Sequence, residues 1–289
     1  MTIIKTTLTS VALLLAAHVH PVLAQSAAEP AAATQPAAAP DQPASGRAVD
    51  PSQPDFTLIS LLPTTLRMPR FGSAFRVTHR FTRALGEGDF GDLASDAFGI
   101  DSSARIGLEY RFGILSGTQI GIHRTNDKTI ELFLQHQVVR QGHGLPVGID
   151  ALVASEGTNN FRDSYSPAVG AIVSRTLGRH GAVYAQPIWV NNSNAFPSEL
   201  VDDNSTFIVG VGGRLRLRPT VYVVVEAAPR FGYRPDTTHA SFAIEKRAGG
   251  HAFQLNFSNG FGTTFANVAR GGIDSNNWYL GFNISRKFF

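Results

Sequence analysis

The chain of 289 residues contains no cysteine, which excludes disulfides, cysteine-ligated metals and thiolate chemistry. Charged residues make up only 16% of the chain, and methionine and tryptophan occur twice each. Beyond residue 24, no apolar run approaches the roughly 18 residues that a membrane-spanning helix needs. Together with a mean hydropathy of −0.02, this excludes a helical membrane protein. A barrel remains possible, because its strands are apolar on one face only.

The N-terminus has the features of a secretory signal peptide. Lys5 precedes an apolar run from Leu8 to Ala17, and small residues end at Ala24. We therefore predict a signal peptide over residues 1–24, cleaved after Ala24. Residues 25–55 are rich in Ala, Pro, Gln and Ser, a composition that buries too little apolar surface to fold and predicts a disordered linker. The remaining residues, 56–289, are predicted to form one barrel domain.

The start of that domain is apolar but broken by prolines. Residues 56–70 carry Phe56, Leu58 and Leu62 on either side of Pro63. Such a segment lies against the periplasmic rim of a barrel or enters its lumen, and the sequence does not choose between the two.

From Ser73 onward, apolar and polar residues alternate with the period of β-strands. The pattern predicts twelve strands, at 73–82, 103–113, 117–124, 129–140, 146–155, 165–177, 181–190, 206–218, 220–230, 239–247, 250–258 and 277–289. Links after odd strands are long and links after even strands are short, with 125–128 as the exception. This alternation of long and short links is typical of an outer-membrane barrel with short periplasmic turns and long outer loops. We predict an all-β fold, a twelve-stranded antiparallel transmembrane β-barrel with a disordered N-terminal tether.

The last strand supports the same location. It alternates through Trp278, Leu280, Phe282 and Ile284 and ends on two phenylalanines. A final aromatic strand is typical of chains inserted by the barrel-insertion machinery into the outer membrane, so that machinery and membrane lipid are the predicted partners. Phe289 is one position out of phase with the apolar face. Either a bulge near Arg286-Lys287 restores the register, or Phe288 faces lipid and Phe289 turns inward or toward the rim.

The opposite face of the strands is charged. The candidate lumen-lining residues are Arg76, Arg80, Arg105, Glu109, Arg111, Glu131, Arg214, Arg216, Arg218, Glu226 and Glu245. One interpretation is a positively lined pore or pocket that favours small anionic solutes, because rings of Arg and Lys bias a pore toward anions. The other is an ion-paired network that fills a narrow lumen, because charges inside a barrel must be paired or wet.

Catalytic, metal and nucleic-acid sites are not indicated. Twelve-stranded outer-membrane barrels include phospholipase A, whose serine follows a histidine in a His-x-Ser-Asn-Gly pattern. Here Ser258-Asn259-Gly260 is preceded by Asn256, which cannot accept the proton. The histidines lack metal-ligand spacing, and no basic cluster with interleaved aromatics suggests nucleic-acid binding. No cofactor is predicted, and the protein is expected not to be an enzyme.

Four stretches resemble a bacterial β-barrel family known only as domain of unknown function five-seven-seven-seven. They are His79-Arg80-Phe81, Ser103 to Tyr110, Gly210-Val211-Gly212-Gly213-Arg214 and Gly249 to Leu255. The resemblance spans residues 56 to 289 and implies an outer-membrane-type barrel without an assigned activity or ligand. The expected function is porin-like passage or binding of small solutes. The alternative is a closed barrel whose outer loops, at 83–102, 191–205 and 259–276, or whose tether bind a partner. A lipid hydrolase is the remote alternative.

Overall fold

In a computed structural model, the chain folds into a closed barrel of antiparallel strands. The structure describes residues 53–194, 204–232 and 237–289. The predicted signal peptide and nearly all of the predicted linker lie outside the described residues. The strands are β1 (Ser73–Ala84), β2 (Ala104–Leu115), β3 (Thr118–Thr125), β4 (Ile130–Val139), β5 (Gly148–Gly157), β6 (Asp163–Leu177), β7 (Gly181–Asn191), β8 (Ser205–Arg218), β9 (Val221–Ala228), β10 (Arg230–Gly232), β11 (His239–Ala248), β12 (His251–Ser258) and β13 (Tyr279–Phe288).

Thirteen hydrogen-bonded segments make twelve wall strands, because β9 and β10 are two parts of one strand. Val211 pairs with Ala227, and Ile208 pairs with Arg230 in the same register. Pro229, which has no N–H to donate, separates the two parts without shifting the pairing. The prediction of a twelve-stranded antiparallel barrel is confirmed.

The first and last strands close the barrel. In this seam, β1 pairs with β13 from Ser73 opposite Phe288 to Arg80 opposite Gly281, and a register shift follows only beyond Arg80. The pairing of β1 with β13 therefore has no bulge near the C-terminus. Each of the twelve wall strands begins and ends within two residues of its predicted bounds, so the alternating sequence pattern was sufficient to locate the strands.

The two ends of the barrel differ. At the end that we call the turn end, neighbouring strands are joined at 116–117, 140–147, 178–180, 219–220 and 249–250. At the opposite loop end, the connections are 85–103, 126–129, 158–162, 192–204, 233–238 and 259–278. The long and short alternation is present, but it has two exceptions rather than the single one predicted. The connection 140–147 is longer than expected, and 126–129 is short.

Three loop-end connections carry short helical segments, namely α1 (Phe90–Ser95), α2 (Thr158–Phe161) and α3 (Phe265–Arg270). The segment α2 is a left-handed turn rather than a regular helix, because Asn159, Asn160 and Phe161 have positive φ. Asp89 caps α1 and forms a reciprocal capping box with Asp92. Among the described residues, no helix has the length and apolar character required to cross a membrane.

Side chains alternate across the wall as a pleated strand requires. In β4, Leu132 and Leu134 point outward and are exposed, whereas Glu131 and Gln135 point inward and are buried. Aromatic rings cluster on the outer surface, where Phe242 stacks on Phe257 at a centroid distance of 4.9 Å and lies 5.5 Å from Trp278. An exposed aliphatic band with aromatic side chains near its edges is the outer surface that a membrane-spanning barrel presents to lipid.

Candidate functional site

The lumen is occupied by residues 53–69, which we call the plug hairpin. This segment enters from the turn end, reverses direction and returns to the turn end, where β1 begins. Its two legs are joined by the backbone bonds from the Leu58 N–H to the Leu62 carbonyl, 2.9 Å, and from the Thr64 N–H to the Phe56 carbonyl, 2.8 Å. Phe56, Leu58 and Leu62 are buried. The segment therefore lies inside the barrel, which resolves the choice that the sequence left open.

A buried carboxylate holds the tip of the plug hairpin, by which we mean Ile59 and Ser60. Glu226, on β9, accepts hydrogen bonds from the backbone N–H groups of Ile59 at 2.9 Å and Ser60 at 2.7 Å. The Ser60 hydroxyl is hydrogen-bonded to His239 at 3.0 Å, and Ser241 donates to the same Glu226 carboxylate at 2.8 Å. Adjacent amides that bind one carboxylate make a charge-assisted clamp, which is stronger than bonds between neutral groups.

The carbonyl of Ile59 lies at the seam between β1 and β13. It accepts hydrogen bonds from Arg76, from Arg80 at 3.2 Å and from Asn283 at 2.7 Å. Arg76 also donates to the carbonyl of Ser60 at 2.8 Å. One peptide of the plug hairpin is thus held by both strands that close the barrel.

Amide side chains hold other carbonyls of the plug hairpin. Gln135 on β4 donates to Thr64 at 2.8 Å, Gln186 on β7 donates to Pro63 at 3.0 Å, and Gln254 on β12 donates to Leu58 at 2.8 Å. These contacts come from well-separated parts of the wall. They satisfy backbone groups that would otherwise be buried without partners.

The entering leg is bound near the turn end. Arg247 donates to the carbonyl of Gln53, Lys287 donates to the carbonyl of Pro54, and Ser285 donates to the carboxylate of Asp55. Burial alone would raise the pKa of Asp55. Lys287, the hydrogen bond from Ser285, Arg247 and Arg76 together outweigh burial and hold the pKa below its usual value. Residues 53–55, which the sequence assigned to the linker, therefore pack with the barrel.

The other side of the lumen is apolar. Leu58, Ile59 and Leu62 form one cluster with inward residues of β7, β9 and β11. Leu61 belongs to a second cluster that includes Leu152, Ala154, Ala168, Ile172, Ile188, Val190 and Ile208. The lumen is therefore divided into a polar wall and an apolar wall, and the plug hairpin contacts both. The sequence prediction of a charged interior holds for only part of the circumference.

A second element enters the lumen from the loop end. In α3, Phe265, Ala266, Val268 and Ala269 are buried in the same cluster as Leu61. The Phe265 N–H donates to Glu131 at 2.7 Å, and Arg230 donates to the Ala269 carbonyl at 2.8 Å. The connection 259–278, predicted as an outer loop, thus folds back into the barrel and meets the plug hairpin.

Most of the predicted lumen residues are buried inside the barrel. Glu109 lies between Arg76, at 3.5 Å, and Arg111, and Glu245 pairs with Arg247. Arg80 is fully buried, and Arg214 lies with its guanidinium 5.2 Å from the ring centroid of Tyr222. Glu131 and Glu226 bind α3 and the plug hairpin, as described above. The arrangement contains the ion pairs of a filled lumen together with bonds to an inserted segment.

Three predicted residues lie elsewhere. Arg105 is at the loop end, where its partly exposed side chain pairs with Asp127. Arg216 and Arg218 follow the inward parity of β8 but lie at the turn end, where Arg218 is exposed. Arg216 donates to the carbonyl of Pro219 at 2.9 Å. These arginines lie near the mouths of the barrel, because the strand extends beyond the packed interior.

Sequence reasoning missed the neutral residues that contact the plug hairpin. Gln135, Gln186, Gln254 and Asn283 carry no charge, so they did not stand out on the inward face. Their inward parity was the available signal. Inward amides on several strands indicate a wall that binds peptide groups rather than ions alone.

A polar cleft of about 430 Å³ opens at the turn end beside the returning leg of the plug hairpin. Arg67, Arg140, Gln137 and Gln141 line it, and at its edge the hydroxyls of Thr65 and Ser174 are hydrogen-bonded to each other. Arg67 and Arg140 are exposed. We call this cleft the vestibule. Its two guanidinium groups make it suited to an anion.

The residues of the incomplete hydrolase pattern form hydrogen bonds that hold the start of the connection after β12. Ser258 is buried, and its hydroxyl donates to the carbonyl of Gly260 at 2.6 Å. Asn259 bridges to the neighbouring strand by accepting from the Ala240 N–H at 2.9 Å and donating to the Thr238 carbonyl at 2.8 Å. Within residues 53–194, 204–232 and 237–289, no three His, Asp or Glu side chains come together as a metal-binding group.

Several solved barrels resemble the chain. The NanC porin has 6% identity and a TM-score of 0.49, and the match covers 74% of this chain and 98% of NanC. Omp33 of Acinetobacter baumannii has 8% identity and a TM-score of 0.43, with coverages of 75% and 98%. An outer membrane channel of Pseudomonas putida F1 has 13% identity and a TM-score of 0.44, with coverages of 79% and 97%. The similarity is limited to the general course of the chain.

No curated protein matches the chain. A family model does match, over residues 57–288, and its description is a membrane bound beta barrel domain (DUF5777). The matched range begins in the plug hairpin and ends in the last strand, so it includes the whole described barrel together with most of its occupant. The chain therefore belongs to this family of membrane-bound β-barrel domains.

Proposed function

We propose that this protein is a porin-like channel of the bacterial outer membrane whose lumen is closed, in the conformation described, by its own plug hairpin and by α3. The predicted signal peptide, the family and the short turns at the end that holds the C-terminus support the location. The turn end would face the periplasm. Passage of a small solute then requires both the plug hairpin and α3 to move.

The main support for this proposal is the way in which the wall binds the plug hairpin. Its backbone is bound by side chains of the wall, including Glu226, Gln135, Gln186 and Asn283, and it is not paired as a strand. Each of these bonds exchanges for a bond to water when the segment leaves, so the net cost is about 1 kcal/mol for a bond to a neutral amide and about 1.5–3 kcal/mol for a bond to the Glu226 carboxylate. Because these bonds are not part of the strand ladder, the wall would keep its own pairing if the plug hairpin left. The opposing cost is the exposure of the buried Leu58, Ile59 and Leu62.

Anionic solutes are the proposed class. The vestibule presents Arg67 and Arg140, and Arg216 and Arg218 lie at the same end. Once the plug hairpin has moved, the polar wall also exposes Arg76 and Arg80. Arginines near the mouth concentrate anions and bias a pore toward them.

Single-channel recording with a reversible lock tests the closed-channel proposal. The chain has no cysteine, so a Thr65→Cys/Ser174→Cys pair is the only disulfide that forms. We expect the oxidised variant to remain silent and the reduced variant to show openings. An independent lock, Asp55→Cys/Ser285→Cys, fixes the entering leg and should behave in the same way.

Two results would overturn the proposal. One is equal conductance in the oxidised and reduced states, which means that the plug hairpin does not gate passage. The other is silence of a folded variant that lacks residues 56–70 and has α3 replaced by a short turn.

Ion selectivity is tested separately. Neutral substitutions of Arg67 and Arg140 should shift the reversal potential toward cations, and an unchanged potential refutes the role of the vestibule.

The second candidate function is partner binding by an outer loop. In the connection 85–103, Phe90 is 75% exposed and its ring lies 6.3 Å from that of Phe98. An exposed aromatic pair is a feature of binding surfaces. Affinity capture with the unaltered chain and with a Phe90→Ser/Phe98→Ser variant separates this role from conduction. A second comparison, with and without residues 25–52, tests the tether as the binding segment.

A further inference from the structure

Exposed charges are divided unequally between the two ends of the barrel. At the turn end, eight cationic side chains are exposed: Arg67, Arg70, Arg140, Arg175, Arg179, Arg218, Lys246 and Arg286. Arg67 and Arg140 line the vestibule, and Arg218 follows the inward parity of β8. We call the other five, Arg70, Arg175, Arg179, Lys246 and Arg286, the basic belt. The side-chain carboxylates described at that end, Asp55, Asp150 and Glu245, are all buried. At the loop end, exposed carboxylates such as Asp89, Asp127 and Asp163 are mixed with cations.

The basic belt lacks internal charge partners. Among the residues that the structure describes, the ion pairs within 4.0 Å involve six other arginines and His239, and none of the eight. Lys246 makes a neutral contact with Thr220 at 2.6 Å. The cations are therefore available to an anion outside the protein.

Several of these side chains share the face that meets lipid. Arg175 is two residues beyond Val173 on β6, Lys246 is two beyond Ile244 on β11, and Arg286 is two beyond Ile284 on β13. All lie on the outward parity of their strands, at the turn-end edge of the apolar surface. A long cationic side chain at that level lays its stem on the apolar surface and extends its charge to the headgroups.

Aromatic rings lie beside two of the cations. Arg286 lies over the ring of Phe288, 5.2 Å from its centroid, and Arg70 lies over the ring of Phe71 at 4.5 Å. Phe71 is 66% exposed and Phe288 is 49% exposed. Barrels place such aromatic girdles at the membrane interface. The cations also occur around the circumference, whereas a globular partner would contact only one side.

We propose that the basic belt binds the phosphate groups of anionic phospholipids in the leaflet that surrounds the turn end. The belt recognises net negative charge in the headgroup, with phosphatidylglycerol as a suitable probe. This lipid binding does not depend on conduction, so its failure would leave the proposed channel function untouched, and the reverse also holds.

Local lipid selectivity tests the proposal. A single Leu177→Cys substitution places a fluorophore on the outer face of β6, next to Arg175, in a chain with no other cysteine. Quenching by spin-labelled phosphatidylglycerol is compared with quenching by spin-labelled phosphatidylcholine in vesicles of phosphatidylcholine. One basic side chain near a charged surface favours anionic lipid by about 1 kcal/mol, so we expect a preference of about fivefold. It should weaken with added salt.

The matched controls use the same strand and the same chemistry. A fluorophore at Tyr165→Cys, on the outer face near the loop end of β6, should report less than about twofold preference. The triple variant Arg175→Gln/Lys246→Gln/Arg286→Gln should lose the preference at the turn end, and Arg175→Lys/Lys246→Arg/Arg286→Lys should keep it. Heat-resistant migration on gels verifies that each variant is folded. Equal quenching by the two lipids in the unaltered protein, or an undiminished preference in the folded neutral triple variant, would overturn the proposal.

Discussion

The last residue of the chain packs against the first apolar residue of the plug hairpin. The rings of Phe56 and Phe289 meet edge to face, with centroids 6.2 Å apart and planes inclined by 67°. Phe288, one residue earlier, points outward and is 49% exposed. Of the two arrangements that the sequence allowed for the out-of-phase terminus, the structure shows the one without a bulge: Phe289 turns inward.

The first prediction concerns this ring pair. Phe56→Ala and Phe289→Ala should be coupled by about 0.5–1.5 kcal/mol in the free energy of unfolding, the typical value for an aromatic pair beyond the area that it buries. Equilibrium denaturation of the two single variants and the double variant, in vesicles, measures this coupling. Phe288→Ala is the control and should combine additively with Phe56→Ala. Additivity in both cycles would contradict the packing described.

The second prediction concerns the clamp at the tip. Glu226→Gln preserves the shape of the side chain but removes its charge and one acceptor for the amides of Ile59 and Ser60. A hydrogen bond to a charged group contributes about 1.5–3 kcal/mol, so hydrogen exchange at these amides should accelerate by about tenfold or more.

Glu131→Gln is the control for that variant, because Glu131 binds α3 at Phe265 and makes no such bond to the tip. It should leave exchange at Ile59 and Ser60 unchanged and accelerate exchange at Phe265. Unchanged exchange at the tip in Glu226→Gln would show that the clamp does not hold it.

The third prediction concerns the space that β8 leaves for the plug hairpin. A Cβ at Gly210 would lie 2.7 Å from the Leu62 side chain and 2.7 Å from the Gln186 Oε1 atom. Gly210→Ala should therefore destabilise the packed hairpin by about 1–3 kcal/mol, the usual effect of overfilling a core. Protease sensitivity of the hairpin in the folded barrel measures this effect.

Gly213→Ala provides the comparison within the same strand. The atom nearest to its added Cβ is the backbone oxygen of Ala182 at 3.3 Å, and no atom of the plug hairpin lies within 4 Å. Equal protease sensitivity in the two variants would mean that the hairpin does not need the space at Gly210.

The fourth prediction concerns α3. Phe265 is 3% exposed, and truncation of a buried phenylalanine costs about 3–5 kcal/mol. In an α3 of only six residues, that loss should release the helix while the wall strands remain paired. A single Ala266→Cys reporter should then react faster with a maleimide in the Phe265→Ala background. Ile273→Ala, at a 55% exposed position in the same connection, should leave the rate unaltered.

The strands were predictable because a barrel wall imposes a strict period of two. Along β1, Arg76, Thr78 and Arg80 are buried while Phe75 and Val77 are more exposed, and this alternation is readable in the sequence. Parity gives the face of a residue but not its depth. This is why Arg216 and Arg218, on the inward parity, lie at the mouth rather than in the lumen.

The contents of the lumen were harder to predict. On β6, Ala168 and Ile172 point inward while Val169 points outward, so both faces are apolar and their composition does not identify the interior. The bond between Asn283 and Ile59 joins residues 224 positions apart, and no local pattern records it. The prolines and leucines of residues 56–70 are equally compatible with a rim and with a lumen.

The carbonyl of Ile59 has a consequence for the order of assembly. Its donors stand on the first strand, at Arg76 and Arg80, and on the last, at Asn283. That set is complete only when the two ends of the wall have met. The first segment of the domain to be synthesised thus acquires its full set of bonds only when the barrel closes. A chain truncated before β13 lacks part of this set. The bonds of the plug hairpin to β1 and β13 therefore stabilise the closed barrel and are complete only in it.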